Sequence, residues 1–251
     1  MLNLKVRAMA SLHEAMKQYT KLAETLTPEG EPLDLFEHDG EFFISSHGER
    51  LMTSIAYGSE EELARMACQP LRPARQPKVL IGGLGMCFTL SAAVESLPQV
   101  GAKFVVAELT EAVVEWNKTY LKGLHPGLLD DPRVQVVVSP VQKLIADADG
   151  EYSAIMLDVD NGPSAFHGEN NQNLYTIEGL NAAKAALKEG GILAVWSAYP
   201  DKKFTKLLRR AKFEVSEVEV PASHRGRKRR MHTIWIARNG SYQSQNQKQR
   251  R

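Results

Sequence analysis

Two short phrases hold the residues best suited to chemistry. The first, Val79-Leu80-Ile81-Gly82-Gly83-Leu84-Gly85-Met86-Cys87, is an apolar run that ends in glycines. Glycine reaches positive φ without steric penalty and lets the backbone come close to a ligand, so Gly83 and Gly85 are candidates for shaping a cofactor-binding turn between a strand and a helix. Glu108 stands 25 residues after Gly83, at the end of the next apolar run, where an acidic side chain can accept hydrogen bonds from ribose hydroxyls. These residues predict a nucleoside site. A dinucleotide turn asks for a further glycine at position 88, which is Phe88, so a ligand without a pyrophosphate fits better.

The second phrase runs from Tyr152 to Pro163 and places Asp158, Asp160 and Asn161 just after an apolar stretch. An amine must lose a proton to act as a nucleophile, so Asp158 is the candidate catalytic group that takes or steers that proton. The competing reading makes Asp158 a turn cap and Asp160 a solvated carboxylate. Cys87, opening a helix, is either a small residue in a tight turn or a thiol made reactive by the helix dipole.

For both phrases to meet, the chain must bring the ends of several strands to one edge. From Lys78 onward, apolar runs at Val79 to Gly82, Lys103 to Glu108, Val134 to Val138, Ser153 to Leu157 and Ile192 to Ser197 alternate with helical patterns. That alternation predicts an α/β, doubly wound, mostly parallel sheet over residues 71 to 238, and ligands bind such sheets beyond the carboxyl ends of the strands. Ahead of it, Asp39-Gly40 and His47-Gly48 separate short apolar runs, and Asp-Gly between such runs signals a hairpin turn, so residues 31 to 70 read as a β meander and a connecting helix. Residues 1 to 30 show apolar positions at helical spacing, from Val6 through Tyr19, Leu22 and Leu26, and predict an amphipathic N-terminal helix that docks on the body or on a second copy. The polar stretch from residue 239 to 251 reads as a disordered basic tail.

The 251 residues are 43% hydrophobic and 24% charged, which suits a globular protein with a real core. No apolar run is long enough to span a membrane and no secretory pattern opens the chain, so a cytoplasmic protein without a membrane partner is expected. Cys68 and Cys87 form no paired motif, and no disulfide framework or metal site is expected. The near-neutral net charge hides an asymmetry. Residues 201 to 251 hold 15 Lys/Arg against 4 Asp/Glu, while the rest carries 16 against 26. Arg225, Arg227, Lys228, Arg229 and Arg230 crowd one loop, which is either a solvated hairpin tip or a contact for nucleic acid.

The order of these elements, Ile81-Gly82-Gly83, Glu108, the phrase Asp131 through Val137 and the run Tyr152 through Pro163 resemble the spermidine synthase (aminopropyltransferase) family, within the class I methyltransferase, Rossmann-like fold. The resemblance covers residues 33 to 200. It implies a seven-stranded sheet, S-adenosylmethionine or its decarboxylated form as cofactor, a small-molecule amine as acceptor, Asp160 and Asn161 near the acceptor, and a homodimer. The chain departs from the family pattern where the glycine turn normally carries an Asp, since Leu84, Met86 and Cys87 supply no carboxylate. It departs again at Ser139-Pro140-Val141, where the family has Gly-Asp-Ala, at Asn161, where it has a second Asp, and around Glu60 to Met66, where a Tyr is missing. These changes leave an S-adenosylmethionine-dependent methyltransferase, or a non-catalytic polyanion-binding module on the same fold, as the alternatives.

Overall fold

The structure is a computed structural model that describes residues 19–159, 162–163, 173–224 and 230–240. It divides into two compact units, Met1–Ile55 and Ala56–Arg251. The helix that the sequence pattern attaches to the meander therefore belongs to the second unit.

The first unit is a four-stranded antiparallel meander of β1 (Thr20–Leu26), β2 (Pro32–His38), β3 (Glu41–Ser46) and β4 (Glu49–Thr53). Asp39 and Gly40 have φ of 55° and 78°, and His47 and Gly48 have 50° and 78°, the positive values that tight hairpin turns need. Leu35 pairs with Ile44 on one face, and Phe36 stacks on Phe43 on the other at 4.9 Å. Residues 20 to 26 correct the expectation of a helix. They form β1, whose register with β2 shifts between Lys21 and Ala23. That irregularity breaks the period-two alternation and leaves Tyr19, Leu22 and Leu26 at a spacing that mimics a helix face. The remainder of the expected helix, residues 1 to 18, lies outside the described residues.

The second unit opens with α1 (Gly58–Cys68) and continues through β5 (Lys78–Gly82), α2 (Phe88–Ser96), β6 (Lys103–Glu108), α3 (Glu111–Lys118), β7 (Val134–Val138), α4 (Val141–Ala146) and β8 (Tyr152–Leu157). It ends with α5 (Ile177–Ala186), β9 (Leu187–Ser197), α6 (Lys202–Arg210), β10 (Phe213–Pro221) and β11 (Met231–Asn239). The seven strands lie in the order β10-β11-β9-β8-β5-β6-β7. β5 through β9 pair in parallel, and β11 runs antiparallel to both β9 and β10. Leu80, Ile155, Leu193 and Trp235 pack on one side of this sheet, all fully buried.

The chain starts at the centre of the sheet, works outward through β5, β6 and β7, then returns to β8 beside β5. This reversal opens a crevice beyond the carboxyl ends of β5 and β8, the place where doubly wound sheets bind ligands. Among the described residues no helix is long and apolar enough to cross a membrane.

Candidate active site

The glycine turn is strapped to both neighbouring strand ends. Gly83 donates its N–H to Ala107 at 2.9 Å, and Gly82 accepts the N–H of Asp158 at 3.0 Å. Gly83 has a φ of +90°, and a Cβ there would lie 2.4 Å from the Asp158 carbonyl oxygen, so only glycine fits. Gly85 follows at +49° and Cys87 at +67°. The Cys87 thiol donates to Asn117 Oδ1 at 3.2 Å, and Asn117 Nδ2 donates to the Gly85 carbonyl at 2.7 Å. Cys87 is buried, and burial pushes its thiol up to about 12, which favours its reading as a packing residue over a reactive thiol.

Glu108 sits at the end of β6 with its carboxylate against the turn. Oε2 accepts the Leu84 N–H at 2.9 Å and Oε1 accepts the Thr110 N–H at 2.9 Å. Burial raises its pKa, and these backbone N–H groups pull in the opposite direction. Glu108 thus braces the turn, with the backbone N–H groups of Leu109 and Gly85 also favouring its charged form.

Asp158 follows β8 across the crevice. Its Oδ2 accepts the Thr89 hydroxyl of α2 at 2.5 Å. The same hydroxyl lies 3.5 Å from the backbone carbonyl of Glu60, so Thr89 links Asp158 to the backbone of α1. Burial pushes the Asp158 carboxyl up to about 6. Burial also pushes Glu60 up to about 8, and the nearby charge of Asp158 adds to the rise. Both shifts favour the neutral carboxyl, and that of Glu60 is the larger. Beside it, Tyr57 stacks on Phe88 at 4.1 Å and forms an aromatic wall, with His125 edge-on to Phe88 at 5.0 Å.

Residues 70–212 match the model of the spermine/spermidine synthase domain. The chain belongs to that family. A polyamine aminopropyltransferase of Mycobacterium tuberculosis is 29% identical over 179 residues, which cover 70% of this chain and 31% of that protein. The chain therefore spans under a third of the length of that relative. A second polyamine aminopropyltransferase, of Pyrobaculum islandicum, is 30% identical over 119 residues, 46% of this chain and 39% of that one. The spermidine synthase of Thermotoga maritima shares the fold with a TM-score of 0.67 at 23% identity, over 88% of this chain and 73% of its own. A spermidine synthase in complex with the transition-state analogue AdoDATO superposes with a TM-score of 0.70 at 24% identity, over 88% and 74% of the two chains.

Within this family member, the structure brings Gly83, Gly85, Glu108 and Asp158 together at one sheet edge. Asp160 and Asn161 lie outside the described residues, as do Arg225, Arg227, Lys228 and Arg229. Arg230 is described and donates to the Tyr199 hydroxyl at 3.1 Å. Sequence reasoning passed over Glu60 and Thr89. Glu60 stands in a run of three glutamates on α1, which reads as a solvated helix face, and Glu61 and Glu62 indeed pair with Arg65. Nothing local sets Glu60 apart; only the packing of α1 against the sheet does.

Proposed function

We propose that the chain transfers an aminopropyl group from decarboxylated S-adenosylmethionine to a small-molecule amine. The observation that carries this reading is the Asp158–Glu60 pair beside the glycine turn. Two neighbouring acidic groups, Asp158 held by Thr89 and Glu60 held by Ser59, suit an ammonium group, which they can neutralise and then deprotonate. Membership of the spermine/spermidine synthase family and relatives that bear the name aminopropyltransferase support the choice of donor and acceptor.

The turn fits a nucleoside because positive φ at the alternate positions 83, 85 and 87, two of them glycine, lets the backbone come close to a ligand. Gly83, Gly85 and Glu108 would hold the nucleoside, with Glu108 on the ribose hydroxyls. Asp158 would orient the attacking amine, with Asp160 and Asn161 beside it. The sulfonium supplies a carbon activated for displacement and a neutral thioether as leaving group. The protein's share is alignment of the amine for an in-line attack and removal of its proton.

Methyl transfer from S-adenosylmethionine is a second reading, favoured by one observation. Leu84, Met86 and Cys87 are buried and apolar, so the turn presents no carboxylate to the amine of an aminopropyl donor. The products separate the two. Incubation with decarboxylated S-adenosylmethionine and a panel of diamines is expected to release 5′-methylthioadenosine; release of S-adenosylhomocysteine from S-adenosylmethionine, with no methylthioadenosine, overturns aminopropyl transfer.

A cytoplasmic homodimer belongs to the same proposal, and sedimentation of the purified chain tests the dimer. The polyanion-binding alternative rests on the loop from Arg225 to Arg230. Salt-sensitive binding to RNA that is lost on deleting that loop is its signature.

A further inference from the structure

Ser59, on the first turn of α1, is fully buried and stands at the centre of a polar chain that the glycine turn and Asp158 do not use. Trp196 Nε1 on β9 donates to its Oγ at 3.0 Å. His232 Nδ1 on β11 lies 2.9 Å from the same oxygen, and Glu60 Oε2 lies 2.6 Å from it. A serine hydroxyl has one proton and two acceptor lone pairs. Trp196 occupies one lone pair, so Ser59 can donate to Glu60 or to His232 but not to both, and the group left over must donate back.

Two arrangements satisfy the Ser59 hydroxyl and the three groups around it. When Glu60 is ionised, Ser59 donates to Glu60 and His232 carries its proton on Nδ1, donating to Ser59. When Glu60 is protonated, it donates to Ser59, Ser59 donates to His232 Nδ1, and the histidine proton resides on Nε2. Neither arrangement leaves Ser59 Oγ, Glu60 Oε2, His232 Nδ1 or Trp196 Nε1 unpaired, which would cost about 1–3 kcal/mol for each buried group. Glu60 can therefore change charge without disrupting its surroundings.

We propose that Glu60 takes the proton of the acceptor amine, and that Ser59 and His232 are positioning residues forming a two-state hydrogen-bond relay that holds Glu60 in either charge state. This rests on the amine-transfer reading. The amine arrives as an ammonium and gives one proton to Glu60. Its freed lone pair forms the C–N bond, the C–S electron pair leaves with sulfur as a neutral thioether, and Glu60 passes its proton to solvent, so one proton is released per turnover. Asp158, pinned by Thr89, stays to orient the product ammonium.

The charges around the relay fit this division. Asp158 at the end of β8 and Glu61 on α1 both raise Glu60. α2 contributes the neutral Thr89, β9 the indole of Trp196, and β10 meets the start of α1 through the backbone of Pro221 and Ala222. His224, in the loop after β10, pairs with Glu61 rather than with Glu60. Burial and the charge of Arg230 push His232 down to about 4, so it stays neutral and responds by changing tautomer.

Nitrogen-15 spectra of labelled histidine, recorded from about pH 6 to about pH 10, read the tautomer directly. The expected result is that His232 Nδ1 gains its proton as pH rises through the titration of Glu60, and that Glu60→Gln holds one tautomer throughout. A single tautomer in the wild-type protein overturns the relay. In turnover, Glu60→Gln should lower kcat/KM by about 10²–10⁴-fold. Ser59→Ala removes a bond that holds Glu60 down, so the limb of the pH–rate profile should move upward; a lower plateau with an unmoved limb marks a merely structural serine. Product formation with a fixed tautomer removes the relay alone. Tautomer switching without product from any donor and amine removes the transfer reading and Glu60's role with it.

Discussion

Replacing Glu60 by glutamine removes a titration that opposes folding. The carboxyl moves from its ordinary 4.5 to about 8 in the fold, so between those values the folded protein binds more protons than the unfolded chain. Stability from this group is fully present below about 4.5, falls as pH rises, and levels off above about 8. At about 1.36 kcal/mol per pH unit, the whole interval corresponds to about 5 kcal/mol, a ceiling because Glu60 is only partly buried. Asp158, moved from 3.8 to about 6, follows the same sign, is about three-quarters ionised by pH 6.5 and adds only about 0.2 kcal/mol above that pH. The interval from pH 6.5 to pH 9 therefore isolates Glu60, and its share there is about 2 kcal/mol. Urea denaturation followed by tryptophan fluorescence is suited to the measurement, since Trp116, Trp196 and Trp235 all lie in the second unit. The Glu60→Gln protein should gain about 2 kcal/mol on the wild type between the two pH values, or about 4–8 °C in Tm for a domain of this size. An equal gap between the two proteins at both pH values refutes the reasoning.

Three further outcomes follow from the same geometry. Gly83→Ala should destabilise the second unit by about 2–4 kcal/mol, through the clash with the Asp158 carbonyl and the positive φ, and should abolish nucleoside binding in calorimetric titration. Glu108→Gln keeps one acceptor but turns an amide N–H₂ toward a backbone N–H. It should cost about 1–3 kcal/mol in denaturation and weaken S-adenosylmethionine binding in calorimetry; unchanged values for both would show that the carboxylate does not brace the turn. Cys68 and Cys87, both raised to about 12 by burial, should resist iodoacetamide at pH 8 in the folded protein and react on denaturation, as counted by mass spectrometry.

Most of the α/β unit is legible in the sequence because its signals are local and repeated. Apolar runs bounded by glycine and polar residues mark every strand from β5 to β8 to within a residue, and the sheet has the seven strands that the family resemblance implies. Positive φ at Asp39-Gly40 and His47-Gly48 is likewise encoded by the residues themselves. β1 was misread because its irregular register with β2 erases the alternation by which a strand is recognised, and no local feature announces that shift. The convergence of Gly83, Glu108 and Asp158 is legible because each ends or directly follows a parallel strand, and the carboxyl ends of such strands converge by topology.

Residue type and spacing thus determined the sheet, the glycine turn and the acidic residues at its edge, since each depends on a short stretch of chain obeying its own steric preferences. Tertiary structure alone decided what those residues meet. Glu108 proved to be held by the backbone of its own turn. Glu60, alike in sequence to Glu61 and Glu62, became the partner of Asp158 because α1 packs its first turn against strand ends far away in the chain. Charge coupling of that kind depends on distance through space, which spacing along the chain does not encode.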